Sequence, residues 1–455
     1  MDELKIKNTL SGEKEVFEPI EEGKVSMYVC GPTVYDYGHL GHGRSAVCFD
    51  VVRKYLIYKG FSVRFVSNYT DIDDKMINRA REDGITVPEL ADKIIPTYKE
   101  DYAALGVMPS DASPRATEYV SAMIEFLQKI ETAGVIYVIE NDGVYFDISL
   151  APTYGKLSGQ KLEDLKIGAR VAENTGKRNP YDFCVWKFAK DDEPAEVKYD
   201  SPWGKGRPGW HLECSVMSWK LLGEKFDIHG GGADLQFPHH ECEIAQSESV
   251  FGEGAFAKYW MHNGFITINK EKMSKSLGNF FTIRDVLKKY SGQVIRFMFL
   301  QKHYSSPIEF SDELLEQSKA GLARIQDFVR NLKASNGVKD FDASFYSNHF
   351  EEFMDNDFDT SGALSVLFDL IKDVGFNSEY KKEEVLSLLE KLDLVFGIIF
   401  AEEASVDSEV EALIKEREEA RKAKNFAKSD EIRDLLKEKG IILEDSANGT
   451  IWKKA

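Results

Sequence analysis

The 455-residue chain has no long apolar run. Its longest, Leu394 to Ala401, falls far short of the ~20 residues that a membrane span requires. Met1-Asp2-Glu3 lacks the basic-then-apolar pattern of a signal peptide, so a cytoplasmic location and no membrane contact are expected. Cysteine is scarce: there are five, widely spaced, and none forms a Cys-x-x-Cys pair. An odd and dispersed set argues against a disulfide framework and leaves metal binding, catalysis or burial as its use. Positive charge is in deficit, with 58 Lys+Arg against 77 Asp+Glu and a net charge of −19. That does not exclude a nucleic-acid partner, because the imbalance is uneven. From Lys415 onward there are 11 basic and 9 acidic residues, which leaves 47 against 68 elsewhere. A slightly basic tail on an acidic body can hold a polyanion along a local stripe. A solvated helix face of mixed charge fits the tail equally well.

What is present is a soluble enzyme's composition, 43% apolar and 30% charged, in a chain long enough for two to four domains. Val25 to Val29 reads as a strand, Cys30 to Gly43 as a glycine-rich loop, Arg44 to Lys59 as a helix stopped by Gly60, and Phe61 to Val66 as a second strand. Helical patterns follow from Asp74, Pro88 and Thr117, and Val135 to Ile148 predicts a hairpin around Asn141-Asp142-Gly143. Alternation returns at His211–Leu222, Phe226–His229, His239–Val250 and Tyr259–His262, and from Ser311 the chain reads as helical. The expected class is α/β: a doubly wound Rossmann-type catalytic domain (1–112 and 201–262) with an inserted connective subdomain (113–200). A stem-contact region (263–310), a helical bundle (311–401), and a linker with a small charged terminal domain (402–455) follow it.

Two short motifs carry chemistry. In Gly38-His39-Leu40-Gly41-His42-Gly43, Gly41 lets the backbone approach a ligand and His39 and His42 can donate to phosphate oxygens. The helix that follows adds its positive end. In Lys272-Met273-Ser274-Lys275-Ser276, Lys272 and Lys275 supply mobile positive charge to the same phosphates. Either motif alone recurs by chance. In this order on an α/β chain they resemble the paired ATP signatures of class I aminoacyl-tRNA synthetases, which implies ATP with Mg²⁺. The Gly-rich turn His229-Gly230-Gly231-Gly232-Ala233-Asp234 is the expected adenosine platform, with Gly231 under the ligand. Asp234 would accept from ribose hydroxyls or an α-ammonium group, although such a turn is often only a turn.

A second constellation suits a metal. His239 and Glu243 stand at i and i+4 on an expected helix, Cys214 sits on another, and Cys30 ends the first strand. Two thiolates, an imidazole and a carboxylate make a sound tetrahedral set for Zn²⁺, with Cys242, His240 and His211 as competing ligands. Cys48 and Cys184 read as buried small apolar residues.

Several motifs occur in the order seen in bacterial cysteinyl-tRNA synthetases. They are Cys30-Gly31-Pro32-Thr33-Val34-Tyr35-Asp36, the His39–His42 motif, Tyr69-Thr70-Asp71-Ile72-Asp73-Asp74-Lys75, Gly209-Trp210-His211-Leu212-Glu213-Cys214, Phe237-Pro238-His239-His240-Glu241 and the Lys272–Ser276 motif. The chain resembles that family from about Lys7 to Trp452. The resemblance implies one Zn²⁺ on Cys30, Cys214, His239 and Glu243, and Lys275 as the ATP-contacting lysine. It also implies L-cysteine, ATP and the cysteine tRNA as partners, with Asp445 and Trp452 in an anticodon-reading tail. The family often carries Asn where this chain has Cys242, which puts a second thiol beside a ligand.

The chemistry agrees with this. Pocket size discriminates poorly between cysteine and serine, whereas soft Zn²⁺ prefers a thiolate to a hydroxyl. Gly31, Thr70 and Trp210 would shape the cysteine pocket, with a core aromatic as the alternative role for Trp210. A monomer is expected. The rival readings are a cysteine ligase acting on an amino-sugar inositol, which needs no tRNA-reading tail, and a non-catalytic zinc-dependent tRNA-binding paralogue.

Overall fold

The computed structural model describes residues 3–160, 176–268, 271–272, 280–375, 378–400, 408–422, 425–438, 441–446 and 449–454. Four parallel strands form the central sheet, in the order Phe256–Asn263, Lys225–Gly232, Lys24–Val29, Ser62–Ser67. The first three strands in that order are mostly buried, as a parallel sheet covered by helices requires, while Ser62–Ser67 at the edge buries only Phe65 and Val66. The Leu40–Tyr58 helix packs on one side with Val47, Val51, Val52, Tyr55 and Leu56 inward. The Trp210–Leu222 and Glu241–Phe251 helices share the core of the other side. The C-terminal ends of all four strands therefore open on one crevice, where the switch in strand order leaves room for a ligand.

Several boundaries differ from expectation. The first helix begins at Leu40 rather than Arg44, because His39 is its N-cap and the His39–His42 motif forms the first turn. The strand expected to end at His229 continues through Gly230 to Gly232, so these glycines belong to the sheet and not to a turn after it. His239 lies in an irregular turn, Gln236–His240, and the regular helix begins only at Glu241. The hairpin forms as Ile136–Ile139 and Gly143–Phe146, with Asn141 at φ 60° in the turn. Its sheet continues through Phe183–Phe188 to Gly206–Pro208, past the expected limit of the insertion at 200.

Beyond the crevice lie Ile266–Ile268, Glu271–Lys272 and Ile308–Glu309, joined in one small sheet. The helices Asp312–Ala334, Ser344–Asp355, Thr360–Val374 and Lys382–Phe396 follow. Their apolar faces merge with the first helix in one continuous core. The terminal unit has its own small cluster of Ile432, Leu436 and Ile441, with Leu413, Ile414 and Leu443 against it. Its hairpin pairs Ile441–Ser446 with Gly449–Lys454. The linker expected at 402–410 falls outside the described residues up to position 407, and a helix runs from Ser408.

Candidate active site and metal centre

A cavity of about 590 Å³ lies at the C-terminal edge of the sheet, lined among others by Cys30, Gly31, His39, His42, Trp210 and Asp234. Its base is built from the chain leaving the first strand. The Cys30 N–H donates to the Gly230 carbonyl at 3.1 Å, and the Gly31 N–H donates to Asn68 Oδ1 at 2.9 Å. A Cβ on Gly31 would stand 1.6 Å from the Asn68 carbonyl oxygen, so only glycine allows these two strand ends to approach.

Beside Cys30, four donor atoms, one each from Cys30, Cys214, His239 and Glu243, lie within 4.8 Å of one another. Cys30 Sγ is 3.6 Å from both Cys214 Sγ and Glu243 Oε1, and His239 Nε2 is 3.0 Å from Glu243 Oε1. The i, i+4 placement survives the irregular turn because the backbone re-enters helical geometry at His240. A second group, Cys30 with His229, His240 and Glu243, is equally compact. The first set fits Zn²⁺ better: it supplies two sulfurs, and its imidazole stacks on Trp210 at the cavity wall, with centroids 4.1 Å apart and planes at 24°. His229 instead holds the other oxygen of Glu243 at 2.8 Å, and His211 Nδ1 lies 2.9 Å from His239 Nδ1. Such outer partners orient metal ligands.

The electrostatics fit a cation. The hydrogen bond from Cys30 pulls the Cys214 thiol down to about 6, against the effect of burial. Burial, reinforced by Cys214 and Glu243, pushes Cys30 well above its ordinary value. Burial opposes the charge on His239, but Glu243 and Cys214 outweigh it and raise the imidazole to about 10. Burial likewise opposes ionisation of Glu243, and His229 and His239 overcome it, holding the carboxyl at about 2. The cluster thus keeps protons on Cys30 and His239 beside the negative Cys214 and Glu243, and a divalent metal would take the place of those two protons.

The competing ligands separate. Cys242 is wholly buried with its sulfur 3.7 Å from the Tyr154 hydroxyl, and it belongs to neither group. His240 turns its Nδ1 to His262 at 2.8 Å and keeps its Nε2 3.4 Å from Cys30 Sγ, as a member of the second group. Trp210 is 39% exposed and lines the cavity, which excludes the core-aromatic alternative. Thr70 is buried and does not line the cavity; its hydroxyl donates to the buried Glu213 carboxyl at 2.7 Å. Gly231 is also withdrawn, packed against His240 and Leu235, and Gly232 lines the cavity in its place. His229, Asn68 and Glu213 hold the site together yet were not singled out from sequence. The position of His229 at the start of the Gly-rich run was the one available signal.

At the phosphate end, the rings of His39 and His42 stack with centroids 3.7 Å apart and planes at 14°. Each Nδ1 accepts the other residue's backbone N–H, at 3.2 and 3.3 Å. This reciprocal capping places the ring proton on Nε2 in each neutral imidazole. Lys275 and the side chain of Lys272 lie outside the described residues, as do the side chains of Asp445 and Trp452.

Residues 16–320 match the model of the class I (C) tRNA synthetase catalytic domain, 349–401 match the DALR domain, and 403–452 match the cysteinyl-tRNA ligase anticodon binding domain. A cysteine–tRNA ligase of Geobacillus sp. is 48% identical, with 100% of both chains covered. The chain belongs to the cysteine–tRNA ligase family. The family's cysteine–tRNA ligase from Hahella chejuensis is 47% identical over 99% of this chain and 100% of its own. Among solved structures, the Mycobacterium tuberculosis methionyl-tRNA synthetase in complex with methionyl-adenylate has a TM-score of 0.60 at 15% identity. It covers 83% of this chain and 89% of its own. A leucyl enzyme from Agrobacterium radiobacter K84 has a TM-score of 0.61 at 12% identity, covering 84% and 85%. At that identity the likeness establishes the class I Rossmann-type fold alone. Among the described residues no helix is long and apolar enough to cross a membrane.

Proposed function

We propose that this member of the cysteine–tRNA ligase family joins L-cysteine to its tRNA in two steps, ATP-dependent adenylate formation followed by transfer to the tRNA's 3′ end. The observation that carries the reading is the sharing of one cavity by a thiol–imidazole–carboxylate cluster and a helix N-terminus bearing two Nε2-protonated histidines. ATP would lie with its triphosphate against His39, His42 and the first turn of the Leu40–Tyr58 helix. There the imidazole N–H groups and the positive end of the helix meet charge as pyrophosphate leaves. Lys272 and Lys275 add positive charge to the same phosphates. Gly232 lets the adenosine approach the strand end, and Asp234 accepts from its ribose or from the substrate's ammonium group.

Cys30, Cys214, His239 and Glu243 would hold Zn²⁺, a soft Lewis acid that takes a thiolate in preference to a hydroxyl. Around it, Gly31 brings the two strand ends together, Trp210 closes the wall over His239, and Thr70 fixes Glu213 beneath the pocket. No covalent enzyme intermediate is required. The substrate carboxylate attacks already ionised, and in the transfer step the proton of the terminal ribose hydroxyl would pass to the phosphate of the departing AMP. The small unit beyond position 408 would read the anticodon, with Trp452 stacking on an unpaired base and Asp445 beside it. We place the enzyme in the cytoplasm as a monomer.

The test is cysteine-dependent ATP–pyrophosphate exchange and tRNA cysteinylation on one preparation, with metal analysis. Exchange with cysteine and not serine, one zinc per chain, and cysteinylation of tRNA are expected. Exchange without acyl transfer to tRNA would point to a different acceptor. Binding of tRNA without exchange would leave only a binding protein.

A further inference from the structure

Arg44 lies two residues after His42 and is wholly buried in the Leu40–Tyr58 helix. A buried guanidinium usually has a carboxylate partner, because an uncompensated charge in the interior is costly. Arg296, equally buried, has one: Asp50 at 2.6 Å. Among the described residues Arg44 has no carboxylate partner; its guanidinium donates to four main-chain carbonyls, with the Cys48 thiol beside it. Its Nη1 donates to Phe265 at 3.2 Å, and its Nη2 to Tyr304 at 3.2 Å, to His303 at 3.4 Å and to Ser306.

These carbonyls belong to the two segments that lead into the small sheet ending at Lys272. Phe265 leads directly into Ile266–Ile268, which turns back as Glu271–Lys272, with Thr267 opposite Lys272. The 303–306 segment leads into Ile308–Glu309, paired in parallel with the same strand. Gly264 donates to the Tyr304 carbonyl at 2.9 Å, and a Cβ there would stand 2.5 Å from the Ser306 carbonyl oxygen. The junction therefore admits little play. The chain following the 272–276 motif is tied to the histidine motif as well. The Leu40 N–H donates to the Phe281 carbonyl at 3.0 Å, the Ile283 N–H donates to Gly38 at 2.8 Å, and His39 pairs with Thr282.

We infer that Arg44 is a positioning residue that locks the upstream root of the 272–276 loop to the helix turn carrying His39 and His42, so that one rigid frame sets where the lysines and the histidines meet the triphosphate. The inference rests on the ATP-ligase reading above. Both halves of a phosphate clamp must be held in one frame, since a displacement near 1 Å costs on the order of a hundredfold in rate. A planar fork can serve four carbonyls arriving from two segments, which the single ammonium of lysine cannot.

The decisive experiment uses the full-length enzyme and the variants Arg44→Lys, Arg296→Lys and Lys275→Ala, singly and combined, with single-turnover adenylate formation as the readout. We expect Arg44→Lys to slow this step at least about tenfold with a smaller change in the KM for cysteine. Its combination with Lys275→Ala should cost less than the product of the two effects, since both act on one clamp. Arg296→Lys should lower the melting temperature yet combine multiplicatively with Lys275→Ala. By hydrogen exchange, the amides of Ile266–Ile268 should lose protection in Arg44→Lys and keep it in Arg296→Lys.

Multiplicative effects of Arg44→Lys with Lys275→Ala, or unchanged protection at Ile266–Ile268, overturn the assignment. If Lys275→Ala alone leaves the rate unchanged, the reading of the loop as a phosphate clamp fails, and the exchange measurement still decides whether Arg44 holds the root. Arg44→Gln, which keeps a donor without the charge, supplies the same readouts if Arg44→Lys does not fold.

Discussion

At the base of the cavity, Cys214, His239 and Glu243 are all but inaccessible, and each is fixed by at least two neighbours. Glu243 alone meets Cys30, His239 and His229. At the opposite end, His39 and His42 cap the first helix and hold each other through their own backbone. The difference follows from what each end must do. Selection of a sulfur atom calls for a preformed set of ligands whose geometry does not adapt to serine, so the side chains are locked by burial. On the proposed reading, departure of pyrophosphate calls for donors that engage as charge develops, the part given to Lys272 and Lys275. One end is built for discrimination and the other for turnover.

Removing one member of the buried end should have the largest effect. Cys214→Ser should strip the metal and reduce cysteine-dependent exchange by more than about a hundredfold, beyond the 10–100-fold typical of outer-shell changes. Cys242→Ser should keep full metal occupancy, as measured by atomic absorption. A metal-free Cys242→Ser protein with a normal Cys214→Ser counterpart would reverse the ligand assignment.

Deleting the chain after Glu402 probes a region that neither end needs. The terminal unit has its own cluster of Ile432, Leu436 and Ile441, so exchange should stay near the parent value. Cysteinylation should fall on the order of a hundredfold through lost phosphate and base contacts. Parallel collapse of both half-reactions in a folded protein would show that the tail is part of the catalytic body.

The phosphate end should respond more gently than the buried one. Lys275→Ala is expected to slow adenylate formation by roughly tenfold, ~1.4 kcal/mol, with a smaller change in ATP affinity. An equal loss in ATP affinity, seen in equilibrium binding, would mean that the lysine acts in the ground state and would dissolve the contrast between the two ends. The smallest effect should come from Trp452→Ala. Loss of one stacked base, at ~1 kcal/mol, lowers cysteinylation about fivefold and leaves exchange untouched. A fall in exchange would place Trp452 in the structural core instead.

Much of this was legible in the residues. The β–loop–helix–β opening, the hairpin at Asn141-Asp142-Gly143 and the helices after Ser311 follow from periodicity and turn chemistry, which act over a few positions. The errors share one cause. Arg44 seemed a natural helix start because glycines and histidines are poor helix formers, yet mutual capping of His39 and His42 starts the helix four residues earlier. Gly230 to Gly232 read as a turn, but pairing with Met261 to Asn263 on the neighbouring strand extends them as sheet. In both places a tertiary or side-chain partner overrode local propensity.

By itself the sequence determined which chemistries the chain carries, because the histidine, lysine and cysteine motifs are contiguous strings and their local geometry follows from backbone preferences. Only the tertiary structure decided which sulfur joins which carboxylate. Cys30 meets Cys214 across 184 positions and Glu243 across 213, while Cys242, one residue from Glu243, turns away to Tyr154. Adjacency along the chain puts successive helical residues about 100° apart around the axis, so neighbours in sequence face different cores. Convergence at the ends of parallel strands is a property of the whole sheet. The same holds for Arg44, whose four carbonyl partners begin 221 positions downstream and bear no signal in their side chains.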